Sequence, residues 1–477
     1  MGKRYKRLIL VILGFCIFIG SSLYFLMEIL PTQNTALPSS APPPFYTGGL
    51  EKGSGGQAVS GASSTYTHDG LFAPSPASTI TGGLLTLSSY PSPAVCARCH
   101  VGIHANWQNS LHAVSATDPW YLKVKEQLQF ERPQAEEREC AGCHAPIALM
   151  TGEVGLYSTE SASSQQGVSC FFCHSIERSS GGNGAYVSNP GRIQAYAGGN
   201  YLSEAGIENA EHLVMLSPDV HKADMLPAWM RGNSGSKLCQ SCHEFVKNGV
   251  KLQSTYSEWL ASSYAKKGVS CQGCHFTPGA GETVESGHLV EHYPARGQVL
   301  RHMLGGGSTV NSPRGQDNKA ILKEVVGLEA ARVGNSLTVK VSNLKAGHSL
   351  PGGVMDLRQM WLEVTAQDAG GQTVYSSGVL DAGGQQPKGT VLFHAVFGDD
   401  KGNPLLRHDI WRVAKLLEDT RLKAEETRAV PYTLPLSTKT VRVRLLWRDA
   451  PADFASWVLK QNGVDLPVVE LAGVKLE

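Results

Sequence analysis

Ten of the 11 cysteines in this 477-residue chain fall into pairs separated by two residues, and a histidine follows each pair directly. The five strings are Cys96, Cys99 and His100; Cys140, Cys143 and His144; Cys170, Cys173 and His174; Cys239, Cys242 and His243; and Cys271, Cys274 and His275. Chance at this composition would give on the order of 0.01 such strings. Zinc ribbons also use C-x-x-C, but one or two pairs suffice, and no histidine need adjoin the second thiolate each time. A thioredoxin-like redox pair is single, and structural disulfides rarely join such close neighbours five times over. The remaining chemistry is covalent attachment of haem. Two thiols add to the vinyl groups of the macrocycle, and the adjoining imidazole is held against the iron. Five motifs imply five covalently bound haem c groups.

Each iron has a second axial position, and eleven further histidines could supply it. His112, in "WQNSLH", stands twelve residues after His100, too far along a helix to reach the same iron. His104 shares the helical face of His100 and is crowded by that haem, so a solvated or propionate-contacting place suits it better. His221 in "SPDVHKADMLP", His302 in "RHMLGGG" and His348 in "NLKAGHSLPGG" are further candidates. His212, His288 and His292 compete for the fifth place; His288 and His292 are spaced i, i+4, and His292 is the choice carried forward. His394 and His408 read as structural histidines, and His68 as a solvated loop residue. Met215, Met225, Met230 and Met303 lie beside histidine candidates and read as packing residues.

The elements that must position these groups divide the chain into four parts. Residues 1–30 hold Lys3, Arg4, Lys6 and Arg7, then an apolar run from Leu8 to Leu30 in which Glu28 is the only charge. At about 1.5 Å per residue this run spans a bilayer with some tilt, and the basic cluster stays in the cytoplasm. A cleaved signal peptide competes, but the apolar run is long for one and no A-x-A site follows. Residues 31–91, rich in Pro, Ser and Gly, read as a flexible linker. Residues 92–318 carry all five motifs over roughly 180 residues, so haems must pack on one another and serve as core, among short helices and irregular loops. Here "ECAGCHAPI" precedes "GVSCFFCH" by 30 residues, and "LCQSCHEF" precedes "GVSCQGCH" by 32, as if one two-haem unit were used twice. Residues 319–477 alternate with period two in "NSLTVKVSN", "RQMWLEVTAQD", "QTVYSS", "ETRAVPYTLPL" and "TVRVRLLWR", which predicts six or seven strands and a β-sandwich. The expected fold class is therefore multidomain: a membrane-anchor helix, a mostly α or irregular multihaem domain and a C-terminal all-β sandwich.

The string "CARCHVGIHANWQNSLHA", with C-x-x-C-H followed by W-x-x-S-x-H, together with "EWLASSYAKKGVSCQGCH" and "RHMLGGG", resembles multihaem cytochromes c of the superfamily that includes hydroxylamine-oxidoreductase-like and tetrahaem electron-transfer cytochromes. The segments "AGHSLPGGVMDLRQMWLEV" and "HDIWRVAKLLEDTRLKAEETRAVPYTLPL" resemble an immunoglobulin-like domain appended to many such proteins. The resemblance covers roughly residues 92–477. It implies that His112 caps a haem attached later in the chain, and that His302 and His348 are axial ligands. Nitrite-reducing relatives carry lysine for one proximal histidine; all five motifs here end in histidine, which argues against that activity.

Lys and Arg number 42 and Asp and Glu 41. Such a balance offers no concentrated basic patch for nucleic acid, and haem propionates would make the loaded protein acidic. No Rossmann glycines or P-loop are present, so the redox groups must carry the function. The expected function is a single-pass, membrane-anchored pentahaem cytochrome. It would pass electrons from a quinol-oxidising membrane complex or other cytochromes to periplasmic or extracellular acceptors, with the bulk of the chain in the periplasm or outside the cell. Two alternatives remain: an oxidoreductase acting on a small nitrogen or sulfur compound at a five-coordinate haem, and a haem-stacked filament subunit, which the anchor disfavours.

Overall fold

The computed structural model describes residues 70–97, 100–154, 161–191, 230, 232–276, 302, 304, 322–461 and 466–477. The expected anchor at 1–30 lies outside them; among the described residues no helix is long and apolar enough to cross a membrane. The described residues belong to one compact unit, with a helical part followed by a strand-rich part.

Short helices carry the cysteine–histidine motifs. They are α1 (Pro93–Ala97), α4 (Glu137–His144), α6 (Cys170–Ser175), α7 (Ser236–His243) and α9 (Cys271–His275). The serine of each "GVSC" string explains where two of them start. Ser169 accepts from Phe172 N at 3.2 Å and Ser270 from Gly273 N at 3.1 Å, each satisfying an amide that the first helical turn leaves open. Between them lie α2 (Val101–Gln108), α3 (Pro119–Glu131), α5 (Pro146–Thr151) and α8 (Thr255–Ala261). Asp118 caps α3, accepting from Trp120 N at 2.8 Å, with Pro119 in the first turn where no amide is missed.

The expected linker ends earlier than residue 91. Phe72 and Tyr90 are each 1 % exposed and belong to a cluster with Ile147, Leu149, Met150, Phe171, Phe172 and Tyr186. Ser78–Thr79 pairs in parallel with Val187–Ser188, and Tyr90 Oη lies 2.8 Å from Ser188 Oγ. Serine-rich composition suggested solvation, but these hydroxyls find partners inside the protein, and two aromatic rings hold the segment down. The helical part thus has an apolar core of protein side chains beside the cysteine–histidine motifs.

The strand-rich part contains two larger antiparallel sheets. One runs β5 (Leu392–Phe393), β3 (Gln359–Gln367), β9 (Thr440–Arg448) and β10 (Val469–Leu476), with β4 (Thr373–Ser377) also on β3; the other runs β8 (Thr427–Thr433), β2 (Ser336–Asn343) and β1 (Val326–Val333). Alternation along β2 buries Leu337, Val339 and Val341, which meet Leu362, Val364, Val441, Val443 and Leu445 of the first sheet in one core. A separate pair, β6 (Ala395–Gly398) with β7 (Lys415–Asp419), lies outside these sheets. This part packs directly on the helices. Trp120, Val124 and Leu128 of α3 share a cluster with Leu357, Trp411 and, from α10 (Ala452–Leu459), Phe454, Ala455 and Val458. Each fully buried side chain of this size contributes about 1.5–3 kcal/mol relative to exposure. Trp411 Nε1 donates to Glu131 Oε2 at 2.8 Å across the same seam.

Candidate functional site

The motif helices touch one another. α1 packs on α6, α4 on α7, and α7 on α9. Correspondingly, Cys96 hydrogen-bonds Cys170, Cys143 bonds Cys242, and Cys239 bonds Cys271. The first motif is therefore beside the third, the second beside the fourth, and the fourth beside the fifth. Cys99 lies outside the described residues. Burial pushes Cys140 and Cys173 up to about 12, while the Cys239 hydrogen bond holds Cys271 down at about 7.

The W-x-x-S-x-H string works as a clamp. Trp107 Nε1 donates to Val168 O at 2.9 Å, Ser110 Oγ to Trp107 O at 2.6 Å, and Val168 N to His112 O at 2.8 Å. α2 ends at Gln108 and His112 falls in a separate turn, Leu111–Val114. Gly167 is required there: its φ is +52°, and a Cβ on it would collide with the His112 carbonyl. The same clamp recurs without a histidine. Trp259 Nε1 donates to Val269 O at 2.9 Å, Ser262 Oγ to Trp259 O at 2.7 Å, and Val269 N to Tyr264 O at 2.9 Å. Tyr264 thus stands where His112 stands, and Gly347, beside His348, packs on both Trp259 and Tyr264. The W-x-x-S spacing before each "GVSC" was visible in the sequence; reading it as a repeated clamp would have linked His348 to the second copy.

His112 meets His243. Their ring centres are 6.1 Å apart and the planes cross at 88°. Two imidazoles bonded to one metal from opposite sides, each metal–nitrogen bond about 2 Å, stand roughly 6 Å apart between ring centres. Burial pushes His112 down to about 3, helped by His243 and His275. It pushes His243 down to about 4, with His275, His348 and His144 acting the same way, and His144 down to about 4, with His408 foremost among the charges. These imidazoles are held neutral, as a metal ligand must be.

Their Nδ1 contacts orient them. The Gln253 amide lies 2.9 Å from His243 Nδ1, and Ser349 O lies 3.0 Å from His348 Nδ1. His144 bonds the Ser115 backbone and stacks on Tyr121 at 4.6 Å. The His112 Nδ1 is buried with no hydrogen-bond partner among the described residues. His302 stacks on Phe276, next to the fifth motif, at 4.5 Å. His100 precedes α2, with His104 N donating to its carbonyl at 2.8 Å, and the His104 ring lies 5.4 Å from Trp107. His221, His292, His212 and His288 lie outside the described residues. Of the two histidines read as structural, His394 is pushed down by burial. At His408 burial acts downward too, but the charge of Asp356 and its hydrogen bond prevail and raise it.

Paired thiols beside neutral, oriented imidazoles, with a buried ring nitrogen left unpartnered, fit haem c. A family model described as cytochrome c554 and c-prime matches residues 95–175, spanning the first three motifs and His112. A solved structure, that of a penta-heme cytochrome c552 from Thermochromatium tepidum, is similar at a TM-score of 0.58 and 23 % identity, covering 82 % of this chain and all of that one. No curated protein matches. The family match is confined to residues 95–175, and the likeness to the solved structure shows a shared fold.

Proposed function

We propose that this chain is a membrane-anchored pentahaem cytochrome c that passes electrons between a quinol-oxidising membrane complex and periplasmic or extracellular acceptors. The observation that carries the reading is the chain of contacts among motif helices, crossed by the 6.1 Å His112–His243 pair. Haem c bound at all five motifs would supply one-electron couples at iron. The cysteines would attach the groups, and the motif histidines His100, His144, His174, His243 and His275 would each hold an iron. His112 would share the iron held by His243. His348, brought by the strand-rich part to the clamp that lacks a histidine, and His302, beside Phe276, would be distal ligands of two other irons, with His221 and His292 competing for a further one. Residues 1–30 are the anchor, and the strand-rich part is an immunoglobulin-like domain whose place is outside the cytoplasm.

Electron paramagnetic resonance of the oxidised holoprotein tests the carrier role. Low-spin signals alone, from six-coordinate irons, are expected. A high-spin iron that takes up hydroxylamine or sulfite and turns it over would replace this function with catalysis.

A further inference from the structure

The helix of the second motif rests against the strand-rich part. Cys140 packs on the cluster that holds Leu357 and Trp411, with Val354 and Ile410 beside it. Those residues flank Asp356 and His408. His408 Nδ1 lies 2.9 Å from both carboxylate oxygens of Asp356, whose side chain is 5 % exposed. Nδ1 therefore donates its hydrogen to the carboxylate, and the lone pair is on Nε2, which makes no hydrogen bond among the described residues. A carboxylate behind the far nitrogen of an imidazole is the arrangement that fixes tautomer and ring orientation in metal-bound histidines. The backbone supports the same view: His408 sits at φ +56°, a left-handed conformation that a side-chain-bearing residue keeps only where its surroundings hold it. His144, which follows Cys143 on that motif helix, is fixed by the Ser115 backbone and by Tyr121, and the His408 charge acts on its imidazole.

We propose that His408, oriented by Asp356, is the distal axial ligand of the iron whose haem is attached at Cys140 and Cys143, opposite His144. The inference rests on the pentahaem reading above. It gives the loop between β6 and β7 a coordinating role, so that the strand-rich part completes the second centre.

Two variants of the loaded, full-length protein test it. His408→Asn removes the ligand while keeping a side chain that tolerates left-handed backbone; Asp356→Asn removes only the charge behind it. Intact-mass spectrometry counts haems first, and fewer than five in the parent would refute the pentahaem reading independently of His408. With five present, His408→Asn should turn one of the five low-spin signals high-spin. Asp356→Asn should leave every iron low-spin but shift the midpoint potential of one, because the ligand becomes less basic. A full low-spin set in His408→Asn overturns the proposal. So does an unchanged set of potentials in Asp356→Asn, the result a merely structural ion pair would give; that arm stands even if His408→Asn does not fold.

Discussion

Replacing Glu258 by Gln should loosen the join between the helical part and the strand-rich part. Glu258, on α8, receives three contacts: Arg421 Nη2 at 2.7 Å and Ser254 Oγ at 2.6 Å on one oxygen, and Ser349 N at 2.9 Å on the other. Arg421 is only 3 % exposed, and Asp419 is its other anion, at 2.9 Å. Breaking a buried pair by removing one charge costs about 3–5 kcal/mol, because the survivor stays buried without its partner. Asp419 still faces Arg421 and the glutamine keeps a hydrogen-bonding oxygen, so the loss should be roughly 3 kcal/mol, the low end of that range. Urea unfolding should show a lower midpoint at unchanged slope. A double-mutant cycle with Arg421→Met should return a coupling of about 1–3 kcal/mol. Since Ser349 follows His348, the spectrum of one haem should broaden in the same variant. Burial works against the Glu258 carboxylate, but the Arg421 charge and the hydrogen bonds hold it below its ordinary value of 4.5. Its contribution is thus present above pH 4.5 and is lost as pH falls through the lower folded-state value. A coupling near zero, with the parent's pH dependence retained in Glu258→Gln, would refute the reasoning.

Burial raises Asp118 to about 6 against the pull of the Trp120 amide and Arg358, so the folded state holds its proton more tightly than the unfolded state. Stability should fall as pH rises from about 4 to about 6, and Asp118→Asn, which keeps the cap, should abolish that fall in thermal melts taken across this range. Gly167→Ala should cost more than about 1 kcal/mol in denaturant midpoint, since its left-handed backbone and the His112 carbonyl both exclude a Cβ; equal stability would mean the clamp yields freely. If residues 1–30 anchor the protein, it should need detergent for extraction and begin near Met1, whereas an N-terminus between about Ser21 and Asn34 on sequencing would show a cleaved leader.

The five cysteine–histidine motifs are legible because their pattern is local: two thiols and an imidazole within five residues need no tertiary information. Strands such as Ser336–Asn343 and Thr440–Arg448 were legible because one buried face imposes period two. Val326–Val333 was not, since "VGLEAARV" carries residues that favour helices and becomes a strand by pairing with β2. Lys415–Asp419 is exposed along its whole length and shows no buried face to read. The partner of His408 stands 52 positions away, so the Asp356 contact could not be read from "RHDIW". The pairing of His112 with His243 needed the fold for the same reason, whereas the second clamp was written in "EWLASSY" and needed only comparison with "NWQNSLH". The linker boundary failed because composition cannot show that a serine hydroxyl finds an internal partner, as Ser188 Oγ does with Tyr90.

The central claim is that all five cysteine–histidine motifs hold haem in one connected electron carrier. Intact-protein mass spectrometry of the protein matured with its haem-attachment machinery tests it most directly. A single species bearing five covalent haems is expected, with Cys271→Ala/Cys274→Ala bearing four. A parent species with fewer than five, or zinc found in their place, would contradict it.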